Sequence, residues 1–145
     1  MKSYFPDLNV WIALTYRGHQ QHAVAASWFG RLQSEAAGFC RVTQLGFLRL
    51  LTHPVVMGDE VRNQREAWET YDLLISDSRV TFYSERDPYA VESEFRVLTA
   101  TTRFAPQQWP DAYLVAFAKA EGLILVTFDR ALSKLAGGGG MVLLK

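Results

Sequence analysis

Three aspartates occupy the same kind of place in the chain, the point where an apolar segment gives way to a helical one. Asp7 lies in "SYFPDLNVWIAL", Asp111 in "QQWPDAYLVAFAKAEG" and Asp129 in "LILVTFDRALSKL". In a parallel α/β sheet, the strand ends that lead into helices share one edge, and ligands bind in the crevice along it. Carboxylates are ligands that suit a hard divalent cation. The pattern therefore predicts a metal-binding cluster assembled from distant parts of the chain.

Each aspartate also has a purely structural explanation. Near a helix start, an Asp side chain accepts hydrogen bonds from free N–H groups and meets the positive end of the helix dipole. Polar neighbours favour the functional interpretation: Asn9 follows Asp7 by two residues, and Thr127 precedes Asp129 by two. Three acids together with Asn and Thr at strand ends exceed what capping alone requires.

Two further polar residues lie on the third predicted helix. Gln44 follows the second predicted strand, which puts it at the same sheet edge as the aspartates; its structural alternative is an ordinary first-turn residue. Arg49 has apolar neighbours in "GFLRLL". It either reaches solvent from the helix surface or pairs with the carboxylates or a substrate phosphate.

Composition narrows the class of protein. A chain of 145 residues is long enough for a single domain, residues 1–145, with a sizeable core. No apolar stretch reaches the roughly 18 residues of a membrane span, and the first residues lack the features of a signal peptide. With Cys40 as the only cysteine, a disulfide framework is excluded and a cytoplasmic location is expected. The net charge of zero predicts no global attraction to nucleic acid, although the preference for arginine over lysine suits phosphate contacts.

Strands and helices alternate along the chain. The apolar and β-branched runs predict strands at residues 3–6, 39–42, 79–83, 123–128 and 141–144. Helical spacing predicts helices at residues 8–16, 20–36, 44–53, 60–76, 88–101, 111–122 and 130–136, with a loop at 55–59 and a four-glycine turn at 137–140. This order predicts an α/β fold in which a mostly parallel sheet carries helices on both faces.

Four segments together resemble the PIN-domain family, and in particular the VapC ribonuclease toxins of bacterial type II toxin–antitoxin pairs. They are "DLNVWIAL", "TQLGFLRLLTHP", "PDAYLVAFAKAEG" and "LVTFDRAL", and they occur in order over essentially the whole chain. The resemblance implies a three-layer α/β/α sandwich with acidic residues gathered around Mg²⁺ or Mn²⁺. It also implies an endoribonuclease acting on RNA, a cognate antitoxin protein as partner, and a homodimer; composition predicts no membrane association.

The resemblance carries over to individual positions. Asp7, Asp111 and Asp129 match the first, third and fourth acids of the family. Thr127 matches the hydroxyl residue that accompanies the fourth acid, and Asn9 the polar residue that often follows the first. The implied mechanism is in-line attack on a phosphate by metal-activated water, with the aspartates holding the metal and Thr127 and Asn9 orienting them.

One position departs from the family pattern. Many PIN domains have a glutamate where this chain has Gln44, whereas Arg49 matches the arginine of an "FLR" motif found in one branch. Gln44 brings no charge, so a second metal ion is in question, and Glu85 or Asp87 after the third strand are candidate replacement acids. The alternative function is a weakly active or inactive PIN-like module that binds RNA or protein.

A small-molecule phosphohydrolase on a related sheet is a third hypothesis. It lacks the expected DxD pair, because Asp7 is followed by Leu8 and Asn9.

Overall fold

The computed structural model describes residues 1–137 and 139–145, and over those ranges it contains five strands and eight α-helices. The strands are β1 (Ser3–Pro6), β2 (Ala36–Phe39), β3 (Val80–Phe82), β4 (Ile124–Thr127) and β5 (Met141–Leu143). The helices are α1 (Leu8–Thr15), α2 (His22–Gly30), α3 (Arg41–Leu51), α4 (Pro54–Met57), α5 (Gln64–Ser76), α6 (Pro88–Leu98), α7 (Gln108–Glu121) and α8 (Arg130–Leu135).

The strands form one parallel sheet in the order β3-β2-β1-β4-β5. The central strand β1 pairs with β2 on one side and with β4 on the other, so that Tyr4 lies opposite both Ala37 and Ile124. The chain builds outward from β1 to β3 and then returns to the other side of β1 for β4 and β5. The strand order therefore reverses between β1 and β4, the position where open α/β sheets bind ligands.

Helices cover both faces of the sheet and bury two separate cores. Successive residues of a strand point to opposite faces. Val126 of β4 accordingly packs in a cluster with Trp11 and Phe39, beneath α1 to α5. Its neighbour Leu125 packs with Phe117 in a second cluster beneath α6 to α8. This arrangement confirms the predicted three-layer α/β/α sandwich.

The boundaries of β2 and the helices around it were predicted wrongly. β2 is Ala36–Phe39 rather than residues 39–42, and the helix predicted over 20–36 ends at Gly30. The sequence "AAGF" carries little strand signal because close packing demands small residues there. A Cβ on Gly38 would fall less than 3.0 Å from the ring of Tyr83.

Further differences concern helix ends. In place of the predicted loop at 55–59, the structure has α4 followed by a short 3-10 turn at Gly58–Glu60. The next helix begins at Gln64 rather than at residue 60, because Asn63 and Glu66 form a reciprocal capping box at 2.8 and 2.9 Å. α6 ends at Leu98 rather than at residue 101. The predicted four-glycine turn includes residue 138, which lies outside the described residues.

The start of α7 bears directly on the candidate site. The helix begins at Gln108, three residues before the predicted start at Asp111, because Pro110 is tolerated within a first helical turn. It ends as predicted, with Gly122 in the left-handed conformation (φ 68°). Asp111 is therefore the fourth residue of the helix rather than its cap.

Over the described ranges, no helix is long and apolar enough to cross a membrane.

Candidate active site

A cavity of about 180 Å³ lies at the carboxyl edge of the sheet, at the switch point between β1 and β4. Asp7 reaches it from the end of β1, Asp129 from the end of β4, and Asp111 from the first turn of α7. Asn9 and Thr43 also line it. The structure thus brings the three predicted aspartates and Asn9 to one place, which we call the acidic cavity.

Asp7 is the most rigidly held of the three acids. It is only 4% exposed and caps α1, with its Oδ1 accepting the backbone N–H of Val10 at 3.1 Å. Its Oδ2 accepts the hydroxyl of Thr127. The backbone N–H of Asp7 donates to the carbonyl of Val126 at 2.9 Å, which extends the pairing of β1 with β4. The carboxylate is therefore fixed by both central strands.

Thr127 connects two of the acids. Its side chain is fully buried, and its hydroxyl donates to Asp7 while accepting the backbone N–H of Asp129 at 3.0 Å. Asp129 in turn caps α8, because its Oδ1 accepts the N–H groups of Ala131 and Leu132. Among residues 1–137 and 139–145, its Oδ2 has no hydrogen-bond partner. The end of β4 therefore holds Thr127 and Asp129 in fixed positions. In the described structure, this leaves Oδ2 of Asp129 available to a ligand.

Asp111 is the least committed of the three carboxylates. In the described part of the chain it accepts no hydrogen bond, and the residue that caps α7, Gln107, makes no side-chain cap. Partial burial and the negative charge of Asp129 raise the pKa of Asp111 above its ordinary value. Its carboxylate therefore lies beside another negative charge without a compensating donor.

Burial also dominates the electrostatics of Asp7. Removal from water raises the pKa of its carboxyl group from 3.8 to about 6, against the opposing hydrogen bonds from Thr127 and Val10. The pKa of about 6 already includes smaller upward contributions from the charges of Asp111 and Asp129. A bound cation would relieve this repulsion, so the electrostatics of the cavity fit a cation.

The arrangement of the acids limits how a metal ion could be held. Within the described ranges, no group of three or more His, Cys, Asp or Glu side chains is arranged to hold a metal ion by itself. The carboxylates therefore surround the cavity without forming a closed cage. Mg²⁺ retains several waters and uses one or two carboxylates in many sites, so this oxygen-rich cavity suits a hydrated hard cation better than a dehydrated one.

The structure does not bring Gln44 and Arg49 to the three acids. Gln44 is buried on α3, where its Oε1 accepts the Nη1 of Arg41 at 2.6 Å, and it does not line the acidic cavity. Arg49 lines a different cavity, of about 430 Å³, with Trp68 of α5. Neither residue lines the acidic cavity, and a catalytic role for either one stays a prediction.

The candidate replacement acids also lie outside the acidic cavity. Asp87 caps α6 by accepting the N–H of Ala90 at 3.2 Å, and neither it nor Glu85 is a lining residue. Thr43 was not among the predicted site residues, but it lines the cavity. Its hydroxyl accepts the N–H of Cys40 at 2.9 Å. The signal for Thr43 was its position directly before Gln44, in what the structure shows to be the first turn of α3.

Known proteins resemble this chain in sequence. The sequence profile of the PIN domain matches residues 4–138. Ribonuclease VapC41 of Mycobacterium tuberculosis is 36% identical over 135 residues, which cover 90% of this chain and 92% of that protein. Ribonuclease VapC44 of the same organism is 27% identical over 133 residues, covering 92% and 90%.

Two solved structures share the fold. VapBC2 from Rickettsia felis, bound to a DNA fragment from its promoter, superposes with a TM-score of 0.64 at 10% identity, covering 99% of each chain. FitAcB from Neisseria gonorrhoeae has a TM-score of 0.59 at 14% identity, covering 96% of each. At these identities the structural likeness establishes the fold, and the sequence match establishes the family. The chain belongs to the PIN-domain family.

Proposed function

We propose that this protein is a Mg²⁺-dependent endoribonuclease, the toxin of a VapBC-type toxin–antitoxin pair. The observation that carries the proposal is the acidic cavity, where carboxylates from β1, α7 and β4 meet at the switch point of the sheet. The names of its relatives, which are VapC ribonucleases, support the same activity. Mn²⁺ is an alternative ion with the same preference for oxygen donors.

The three aspartates have distinct roles in this proposal. A bound cation would stabilise charge on the phosphate and lower the pKa of a coordinated water. Asp111 offers a carboxylate whose oxygens are uncommitted within the described structure, and Asp129 offers its Oδ2. Asp7 accepts one hydrogen bond on each oxygen, and each oxygen retains a second lone pair. Asp7 therefore anchors the site, and Asn9 supplies a polar group at its rim.

Removal of the Thr127 hydroxyl should weaken the site without touching an acid. In the variant Thr127→Val, Asp7 loses a donor that stabilises its charge, and Asp129 loses the acceptor for its N–H. We expect RNA cleavage to slow by about 10-fold to 100-fold, the usual effect of losing a residue that orients a metal ligand. Steady-state cleavage rates check this, and Thr127→Ser, which keeps the hydroxyl, should retain most of the activity. Equal rates for Thr127→Val and wild type would contradict this role.

The neutral Gln44 does not favour the inactive-module alternative. Its side chain does not line the acidic cavity and accepts a hydrogen bond from Arg41. The three carboxylates that line the cavity are therefore present even though this chain has Gln44 where many PIN domains have a glutamate. We propose a site for one hydrated cation, with any second ion arriving with the substrate. A role for Arg49 in catalysis is not supported by its position in the other cavity.

A comparison of substrate classes tests the proposed activity. Purified protein in Mg²⁺ should cleave single-stranded RNA, leave DNA of the same sequence intact, and not turn over 4-nitrophenyl phosphate. Turnover of the phosphate ester without RNA cleavage would instead indicate a phosphohydrolase. RNA that is bound but never cut in Mg²⁺ or Mn²⁺ would indicate a binding module.

We further propose a cognate antitoxin and a homodimer. A basic antitoxin side chain placed among the carboxylates of the acidic cavity would replace the metal electrostatically and block cleavage. The Rickettsia felis structure contains a VapBC2 complex, which supports this kind of partner. Co-purification of the neighbouring gene product with loss of RNA cleavage tests the antitoxin, and sedimentation of the isolated protein tests the dimer.

A further inference from the structure

A second cavity lies beside the acidic one, and we propose that it binds one unpaired base of the RNA by stacking the base on Trp109. We call it the Trp109 cavity; it measures about 160 Å³ and is lined by Thr99, Thr101, Arg103, Ala105, Gln108 and Trp109. The proposal rests on the proposed ribonuclease function and specifies where that enzyme holds its substrate.

Trp109 is exposed in a way that suits stacking. It is 55% exposed, whereas Trp11 and Trp28 are buried in the core. Its ring meets Phe95 edge to face, with centroids 5.8 Å apart and planes at 80°. Such a pair occupies at most one face of the indole and fixes its orientation. The side chain is thus an aromatic platform with surface left for a ligand.

The lining of the cavity suits a nucleotide. Drug-sized ligands occupy sites of about 300–1,000 Å³, so this smaller cavity suits a single base. Gln108 contributes an amide that can both donate and accept, and Arg103 contributes a guanidinium suited to phosphate. Arg103 makes no ion pair with any described residue. An aromatic platform beside free hydrogen-bonding groups is how single-stranded RNA is held by proteins.

The first turn of α7 joins the two cavities. Gln108 and Trp109 line the Trp109 cavity, and Pro110 and Asp111 line the acidic one. Gln108 and Asp111 are three residues apart and therefore lie on the same side of the helix. One helical turn rises only about 5.4 Å. Trp109 is two residues from Asp111 and points to another side of the helix, so the link between the cavities runs through Gln108. A strand whose phosphate lies at Asp111 can pass Gln108 and place a neighbouring nucleotide against Trp109.

A second copy of the chain is the competing occupant. Phe104, in the loop before α7, is fully exposed, and a dimer would cover such a ring. The cationic and amide groups around Trp109 favour RNA instead, because they match phosphate and base edges. The test must therefore follow both RNA cleavage and oligomeric state.

The decisive experiment compares Trp109→Ala with a matched tryptophan. Trp68 is 48% exposed and packs edge to face against Tyr71 at 5.9 Å, but it lines the cavity around Arg49. Trp109→Ala should lower kcat/KM for RNA about 5-fold to 100-fold, the usual range for one stacked base. Trp68→Ala should match wild type, and Trp109→Phe should retain most of the activity because it keeps a ring.

RNAs carrying a single abasic nucleotide separate stacking from a structural role. When the missing base is the one that stacks on Trp109, wild-type protein should cleave the abasic RNA as slowly as Trp109→Ala cleaves intact RNA. The effects of the abasic nucleotide and of Trp109→Ala should then not be additive. Equal cleavage by Trp109→Ala and wild type would overturn the proposal while leaving the ribonuclease function intact. The proposal would also be overturned if Trp109→Ala remained slower than wild type on every abasic RNA. A change in the oligomeric state of Trp109→Ala that accompanies its slower cleavage would overturn it as well. Failure of wild type to cleave RNA would instead overturn the ribonuclease function itself.

Discussion

Asp7→Asn is expected to lower Mg²⁺-dependent RNA cleavage by at least about 100-fold while leaving the fold intact. The substitution removes the negative charge that anchors the acidic cavity, and loss of a direct metal ligand should cost more than the 10-fold to 100-fold typical of its supporting groups. Asparagine keeps the shape of Asp7, and its carbonyl can still accept the N–H of Val10. Cleavage rates and far-UV circular dichroism of the purified variant check both halves of the prediction.

Asp87→Asn is the matched control for this substitution. Asp87 also caps a helix, through the N–H of Ala90, but it does not line the acidic cavity. The Asp87→Asn variant should cleave RNA at the wild-type rate. Equal losses in the two variants would show that the effect of Asp7→Asn comes from helix capping or stability rather than from the site.

Asp7→Asn should also stabilise the metal-free protein at neutral pH. The buried carboxyl of Asp7 has a pKa of about 6 against an ordinary value of 3.8, so the folded protein holds this proton more tightly than the unfolded chain does. The resulting destabilisation is absent below about pH 4, develops between pH 4 and 6, and is complete above pH 6. At about 1.4 kcal/mol per pKa unit it amounts to about 3 kcal/mol at pH 7.

Urea denaturation in the presence of a chelator measures this effect. Asp7→Asn should exceed wild type in free energy of unfolding at pH 7 and approach it at pH 4. Mg²⁺ should narrow the gap at pH 7, because binding to the folded state stabilises wild type. A variant less stable than wild type at pH 7, or a gap of the same size at both pH values, would contradict the raised pKa of Asp7.

The strand ends explain why most of the site was predictable. Asp7 and Asp129 follow strands whose apolar runs are plain in the sequence, and the switch-point rule then places them together. The start of α7 was not predictable in the same way, because proline is permitted at several positions of a first turn. Only the structure shows that Asp111 is the fourth residue of α7, within its first turn, and that it does not cap the helix.

Side-chain direction on α3 was beyond the reach of sequence spacing. Consecutive residues of a helix point about 100° apart, and this rotation turns Thr43 toward the acidic cavity while Gln44 contacts Arg41. Arg49, five residues after Gln44, lines the cavity between α3 and α5. The family pattern places these residues on the correct helix, but the packing of α3 against α5 determines which of them face the acids.

The most direct test of the ribonuclease site is a Mg²⁺ titration of metal-free protein acting on one defined RNA, with Asp111→Asn measured beside wild type. Asp111 is the informative position because its carboxylate makes no hydrogen bond within the described structure, so its loss should leave the fold undisturbed. We expect the wild-type rate to rise from background with added Mg²⁺ and to return to background with chelator, while the variant stays at background throughout. Cleavage that persists in chelator, or an Asp111→Asn variant that responds to Mg²⁺ like wild type, would contradict a metal-dependent site built on these aspartates.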